Sequence, residues 1–490
     1  MSLLARAVRR PPADVPPAVV AVAVGAVLMC TYSVGQWTSM YVPSWDLAIF
    51  SELAKAYAHL QAPVVTIKGE GYNLLGDHFH PILVLLGPVW ALWPSPLALL
   101  LVQDLLLAVS AWPVTRLAAR TTGPWVGGAL GVVYVLSWGM QGAVAAQFHE
   151  IAFAVPMLAW ASVAFVEGRW WACVLWTAPL VLVKEDLGLT VLLAGLAIAW
   201  RGRDDELRLG PQRLSGTHLG LGLALFGIVS FLLTVLVLLP ALSPTGTWEY
   251  GIGGNSGDGS TATTVAGGLL GRLLSPPVKL ATLGVLVTTA GLVGLASPWM
   301  ALVLPTLAWR FLSGKETYWQ WESWHYNAVL MPVAAGALLD VLVRLKRGRP
   351  WMQAPVPVRW LTVVAVGLPV VLGVATAQRL PLADMLDEGW GREPSRAQAA
   401  RQVIETIPPG ATVETDLGLL AYLVPSAQVY WVGSSSVDTD YVVIDARSSA
   451  WGGNPPTDAA RWAMSTSQSG AVYELVLSIN GYQVARRVDP

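Results

Sequence analysis

The 490 residues carry 30 Lys plus Arg against 31 Asp plus Glu, a net charge of -1, and the charged fraction of 12% is about half the roughly 25% of an ordinary soluble chain. With 54% apolar residues, 24 Trp and a mean hydropathy of +0.54, the chain reads as one solvated mostly by lipid, which argues against a water-soluble globule. No basic excess exists to neutralise phosphates, so no nucleic acid partner is expected, and Cys30 and Cys173 lie in apolar runs that offer no disulfide framework or metal-type pair.

A membrane helix needs about 20 mostly apolar residues, and short loops rich in Lys and Arg stay cytoplasmic. Arg6, Arg9 and Arg10 precede the run 17–36, which leaves the cytoplasm as a retained helix. A long first external loop follows at 37–80, and the Pro-broken run 81–94 suits a re-entrant or interfacial segment. Run 96–118 returns inward to Arg116 and Arg120; 124–142 goes out, 151–167 in to Arg169, 170–183 out, and 187–200 in to Arg201, Arg203, Arg208 and Arg213. Run 218–239 goes out to a Gly/Ser/Thr-rich loop at 243–264; 278–295 comes in, 298–312 goes out, 327–343 comes in to Arg344, Lys346, Arg347 and Arg349, and 358–378 goes out. The expectation is an α-helical polytopic membrane protein of about eleven spans, integral to the plasma membrane with its N-terminus cytoplasmic. Its weakest joint is Ser297-Pro298, an uncharged turn on the cytoplasmic side.

Charge marks the domain boundary. Residues 380–490 hold 7 basic and 13 acidic side chains, net -6, whereas 1–379 are net +5. The division expected is a transmembrane domain over 1–379 and a small extracytoplasmic α/β domain over 380–490. The latter reads as a helix at 395–406, a strand at 411–415, an apolar helix at 417–424, strands at 427–432 and 440–445, and a hairpin-like pair at 471–479 and 482–488 around Asn480-Gly481. Strand and helix alternation implies a partly parallel sheet.

Polar groups that are costly in a bilayer are functional candidates when they cluster. The threading leaves on the outer face Asp46 and Glu52; Asp77, His78 and His80; His149 and Glu150; Lys184, Glu185 and Asp186; and His325 with Tyr326. Each group has a bland reading: a helix N-cap for Asp46, a turn for Asp77-His78, an internal ion-pair cluster for Lys184-Glu185-Asp186, and an interfacial aromatic belt for Trp319, Trp321, Trp324 and Tyr326. Convergence of the groups at one depth favours function. No phosphate-binding Gly-rich loop, His-Glu-x-x-His or Gly-x-Ser-x-Gly occurs, and His78-Phe79-His80 is a weak metal signal without a third ligand.

Asp46-Leu47-Ala48-Ile49-Phe50, Gly76-Asp77-His78-Phe79-His80-Pro81, Phe148-His149-Glu150, Lys184-Glu185-Asp186 and His325-Tyr326, with Ile407-Pro408-Pro409-Gly410 and Asp440–Asp445, resemble the landmarks of a bacterial polytopic family of unknown function, DUF2079. The arrangement is similar to that of C-type (GT-C) integral-membrane glycosyltransferases. That resemblance implies a polyprenyl-phosphate sugar donor, an extracytoplasmic acceptor and an acidic catalytic residue in the first external loop, for which Asp46 is the choice and Asp77 the second candidate. It implies that His78, His80, His149, Glu150, Lys184, Glu185, Asp186, His325 and Tyr326 contact substrate, with Arg310 and Lys315 as outlying cations. A nucleotide is not expected, and Leu47 follows Asp46 where several branches carry a second acid, which leaves a divalent metal open. The partners implied are membrane lipid and a lipid-linked donor; oligomeric state is unreadable. The rival readings are a transporter or flippase, to which Asp104 within the run 96–118 would be relevant, and a non-catalytic membrane scaffold.

Overall fold

Apolar runs become helices in lipid because the bilayer core offers the backbone no other hydrogen-bond partner. The computed structural model describes residues 12–40, 45–209, 212–248, 268–346, 353–390, 395–433 and 435–488. Arg6, Arg9, Arg10, Arg347, Arg349 and most of the loop 243–264 lie outside the described residues. The chain opens with α1 (Val15–Thr38), which has Pro in its first turn, followed by the short α2 (Trp45–Ala58) that buries Leu47, Ala48, Ile49, Phe50, Leu53 and Ala54. Short 3-10 turns at Thr66–Lys68, Leu74–Gly76 and Pro81–Leu85 lead to α3 (Leu86–Leu92), so the segment 81–94 is two brief pieces.

Then come α4 (Pro96–Thr122), α5 (Pro124–Val135), α6 (Trp138–Ala145), α7 (Ala154–Val166), α8 (Trp170–Thr177) and α9 (Leu187–Arg201). A β1 (Glu206–Leu209)/β2 (Gln212–Ser215) hairpin, not anticipated from the sequence, joins α9 to α10 (Gly216–Leu233), which continues through a π-helical turn into α11 (Leu239–Leu242). The antiparallel α9 and α10 touch backbone to backbone. A Cβ on Gly195 would meet Gly220 O at 2.5 Å, and one on Gly227 would meet Gly188 O at 2.6 Å. After α12 (Gly268–Leu274) and α13 (Pro277–Thr289), 3-10 segments lead to α14 (Leu304–Leu312), α15 (Leu330–Lys346) and α16 (Val356–Thr376).

Six helices among the described residues are long and apolar enough to cross a bilayer, and five more apolar helices have only 10–17 residues. The expected run 124–142 is among the six although it breaks at Leu136-Ser137, whereas 298–312 begins with a 3-10 stretch after Pro298 and delivers less length than its composition suggested. The arginines at the end of α4 and just after α7 form one ion-paired cluster. Arg116 pairs with Asp14 at 2.9 Å, Arg120 with Glu167 at 2.7 Å and Arg169 with the same Glu167 at 2.6 Å. The uncharged turn at Ser297 also meets basic residues: Ser297 Oγ donates to Asp340 Oδ2 at 2.7 Å, and Arg344 and Arg201 reach the same carboxylate at 3.0 and 3.5 Å.

The C-terminal segment contributes α17 (Ser395–Thr406), β3 (Thr412–Thr415), α18 (Leu420–Leu423), β4 (Gln428–Trp431), β5 (Tyr441–Asp445), α19 (Ala459–Thr466), β6 (Tyr473–Ile479) and β7 (Tyr482–Arg487). The sheet order is β4-β3-β5-β7-β6, with β3 parallel to β4 and β5 and the other pairs antiparallel. Asn480 and Gly481 both have positive φ, 46° and 88°, as a tight Asn-Gly hairpin turn demands. Helix α19 is an element that its eight residues made too short to read.

The sheet is not suspended on a linker. One cluster of buried apolar side chains runs from Leu47 and Leu53 through Val403 and Val413 to Leu423 and Val443. The segment from α18 to β4 lies against α2: Lys55 Nζ donates to Val424 O at 2.7 Å and Ala427 O at 2.9 Å, while at the other end of α2 the Trp45 and Trp431 rings meet edge-on at 4.8 Å. Thr66 Oγ1 donates to Val429 O at 2.8 Å and is bonded to Glu52. The C-terminal end of α1 docks on the same segment through Trp37 stacked on Tyr422 at 4.3 Å.

Candidate functional site

Asp46 stands in the first turn of α2, where a carboxylate is favoured by the helix dipole. Its Oδ2 lies 3.3 Å from His149 Nε2, and solvent reaches 40% of the Asp46 side chain against 4% of His149. Burial opposes ionisation of Asp46, but the charge and hydrogen-bonding reach of His149, with Lys184 behind, outweigh it and hold the carboxyl below its ordinary range. Around this pair the aromatic packing is continuous: the rings of His149 and His325 stack at 3.5 Å, His325 meets Tyr326 at 3.9 Å, and Phe50 stands edge-on to His149 at 6.0 Å and to His80 at 5.7 Å.

Two strained backbones deliver the imidazoles. Gln147 and Trp324 both have positive φ, 70° and 69°, which side chains of that size rarely adopt. Gln147 O accepts from His149 Nδ1 at 3.0 Å, and Trp324 immediately precedes His325. The glycines of α6 let the second segment close in, since a Cβ on Gly139 would meet Asn327 O at 2.5 Å and one on Gly142 would meet Trp324 O at 3.1 Å. Gln103 fixes the other strand of the pair: its Oε1 accepts from His149 N at 3.0 Å and its Nε2 donates to Ala143 O at 3.1 Å. Sequence reasoning missed Gln103 because a neutral amide in an apolar run leaves no charge signal.

The turn between α8 and α9 is a hub of three cross-links. Lys184 Nζ donates to Glu150 Oε1 at 2.8 Å, Glu185 takes His78 Nδ1 at 2.7 Å and Phe79 N at 3.0 Å, and Asp186 Oδ2 accepts from Trp309 Nε1 at 3.0 Å. Lys184 and Glu185 are thus engaged with Glu150 and His78, on other segments, and not as one cluster across the two short helices; Lys184 also faces the Tyr326 ring at 5.7 Å. Asp77 belongs to a neighbouring cluster: Lys68 Nζ donates to it at 2.7 Å and Tyr72 OH at 3.1 Å. That engagement removes Asp77 from the chain of contacts around Asp46. His59, at the end of α2, only donates to Lys55 O at 2.8 Å.

Burial disfavours charge on both His78 and Glu185, yet their mutual attraction dominates, raising the imidazole above its usual range and lowering the carboxyl. The signs give a bell-shaped contribution to stability. It is lost as pH rises through the raised value of His78 and again as pH falls through the lowered value of Glu185. Thermal unfolding across pH should show both limbs, with the alkaline one flattened in His78→Gln.

Arg310, an outlying option in the sequence, is fully buried in α14. Nε donates to Tyr318 O at 2.8 Å and Nη2 to Gln320 O at 3.2 Å, while Nη1 has no hydrogen-bond partner and no carboxylate pairs with the guanidinium among the described residues. It sits 6.0 Å from the Tyr326 ring centre. Both ring nitrogens of His325 and Nδ1 of His80 are likewise buried without a hydrogen bond. Buried donors of this kind are costly unless a ligand satisfies them. Among the described residues no three His, Cys, Asp or Glu side chains group as metal ligands.

Residues 36–489 match the family model described as "Predicted membrane protein (DUF2079)". A comparison with curated proteins finds no match. Among solved structures, ArnT from Cupriavidus metallidurans in the apo state is similar at a TM-score of 0.51 and 13% identity, covering 95% of this chain and 97% of that one. The same protein bound to undecaprenyl phosphate gives 0.48 and 13% with the same coverage. ArnT is a GT-C glycosyltransferase, so the expected architectural resemblance holds at the level of fold. With the family match spanning nearly the whole sequence, the chain belongs to the DUF2079 family of predicted membrane proteins.

Proposed function

We propose that this protein is a membrane glycosyltransferase that moves a sugar from a polyprenyl-phosphate donor to an extracytoplasmic acceptor, with Asp46 as general base. The observation that carries the reading is Arg310, a guanidinium shut inside the protein without a carboxylate partner among the described residues, joined to Asp46 through Tyr326, His325 and His149. A buried cation lacking an acid partner is a site for an anion that arrives with the ligand. The Arg310 guanidinium, His325 and His80 anchor the donor phosphate, a role that passes from Lys184 because Glu150 already holds it. The lipid tail stays in the bilayer beside the site. The ArnT-like fold supports the reaction class.

In the reaction the acceptor hydroxyl attacks the anomeric carbon, the sugar–phosphate bond breaks with its electron pair leaving on phosphate, and the hydroxyl proton goes to Asp46. The test is transfer of labelled sugar from polyprenyl-phosphate sugars by the purified protein in vesicles; failure with every donor of that class, in the presence of lipid extract as acceptor, sinks the reading. The orientation proposed places Asp46 and the C-terminal sheet outside. Cysteine introduced at the exposed Leu60 should then react with an impermeant reagent on intact cells, and cysteine at the exposed Asp204 only after permeabilisation.

A further inference from the structure

We propose that Asp186 is the hydroxyl acceptor of a sugar subsite beside Arg310, so that this site takes a lipid phosphate carrying a saccharide in preference to the bare lipid phosphate. Asp186 stands at the N-cap of α9, where an Asp ordinarily caps the helix, yet its side chain makes no cap bond. Trp309 Nε1 donates to its Oδ2 at 3.0 Å, and Oδ1 is buried with no hydrogen-bond partner. No Lys, Arg or His pairs with it among the described residues. Lys184, two positions earlier, is held by Glu150 at 2.8 Å, and His78 is held by Glu185 at 2.7 Å. A carboxyl oxygen enclosed in this way calls for a hydrogen donor, and the protein supplies none.

Asp186 and Arg310 meet at one aromatic group. Trp309, the residue before Arg310 in α14, holds Asp186 and stands edge-on to Tyr326 at 4.9 Å, while the Arg310 guanidinium lies 6.0 Å from the centre of that same ring. Tyr318 stands edge-on to Trp309 and Tyr326 at 5.8 and 5.0 Å. All three aromatic side chains are half-buried, which leaves ring surface for the apolar C–H face of a pyranose. A second unpartnered acceptor is tied to Arg310 through one carbonyl: Gln320 O accepts from Arg310 Nη2 and from Asn327 Nδ2, both at 3.2 Å. Asn327 Nδ2 also donates to Trp321 O and Ser323 O at 3.1 and 2.9 Å, which fixes the amide orientation and leaves the buried Oδ1 without a donor. The open atoms are therefore of two kinds. Arg310 Nη1 only donates, which suits phosphate, whereas Asp186 Oδ1 and Asn327 Oδ1 accept, which phosphate oxygens cannot answer. Sugar hydroxyls can, and in a polyprenyl-phosphate sugar they lie next to the phosphate. An ammonium group is the poorer match, since Lys184 and Arg310 already stand 5.7 and 6.0 Å from the Tyr326 ring.

The assignment rests on the transferase reading, and one binding experiment separates the two. Radiolabelled undecaprenyl phosphate on the full-length protein in nanodiscs is displaced by unlabelled undecaprenyl phosphate, either bare or carrying glucose, mannose, galactose or arabinose. A site built to hydrogen-bond a hydroxyl disfavours the analogue that lacks it, because its buried groups are then left unpaired. In wild type at least one sugar-bearing lipid should compete about 10- to 100-fold better than the bare lipid, as a hydrogen bond to a charged group implies. Asp186→Ala should close that gap and leave the affinity for bare lipid as it was. A wild type that does not distinguish sugar-bearing from bare lipid overturns the subsite, and so does a gap that survives in Asp186→Ala. Equal weakening of both lipids in the variant also overturns it, by giving Asp186 a structural role at the start of α9. If Asp186→Ala does not fold, Trp309→Phe retains a ring and the carboxyl but releases Oδ2; the gap should narrow there, and an unchanged gap overturns the proposal. Failure of wild type to bind undecaprenyl phosphate at all sinks the transferase reading, whereas binding of bare lipid without a gap sinks the subsite alone.

Discussion

Asp46→Asn should abolish sugar transfer while leaving the protein folded and inserted. A positioned general base is worth roughly 100- to 10,000-fold in rate, and the amide keeps the shape of the carboxyl at the start of α2. The apolar face of that helix, Leu47 to Ala54, is untouched, so melting temperature should change little. The measurement pairs a turnover assay with thermal unfolding of the same preparation. Wild-type turnover in the variant would remove Asp46 from the chemistry, and a collapse in stability would show that its role is to hold α2.

Arg310→Met should separate binding from folding in the opposite way. The methionine keeps most of the buried volume and removes a charge that has no carboxylate partner among the described residues, so the unliganded variant should be about as stable as wild type. A hydrogen bond to a charged group contributes about 1.5–3 kcal/mol, so KM for the donor should rise about 10- to 100-fold. The stabilisation that donor confers on wild type should disappear with it. Unaltered donor affinity would sever Arg310 from the phosphate. A large loss of stability in the unliganded variant would mean that the bonds to Tyr318 O and Gln320 O are its main purpose.

Much of the site was legible because charge is scarce in this chain. In a sequence with 12% charged residues, Asp46, His149, Lys184, Glu185 and His325 stand out, and the positive-inside rule sorts them to one side without any knowledge of packing. The strands at 412–415, 428–431 and 441–445 were readable from short β-branched runs between turn signals. What could not be read is partner choice. Asp77 and His78 are neighbours in sequence, yet one turns to Lys68 and the other to Glu185. Lys184 reads as a phosphate ligand until Glu150 is found against it, and Arg310 reads as peripheral until its burial is seen. The positive φ of Gln147 and Trp324 left no composition signal, because neither is a residue that marks left-handed backbone. The touching glycines of α9 and α10 lie seven apart in each helix, a spacing that acquires meaning only when the two are set side by side.

The packing of the α18–β4 segment on α2 bears on how such a protein can be dissected. A chain ended before residue 395 would retain every side chain assigned to chemistry here, yet α2 would lose the carbonyls that seat Lys55, the ring that meets Trp45 and much of the cover over its buried face. The sheet acts as a splint for the short helix that presents Asp46. Hybrids that exchange this segment between family members would have to carry the matching stretch 45–73 with it, or the graft would leave the helix without its cast.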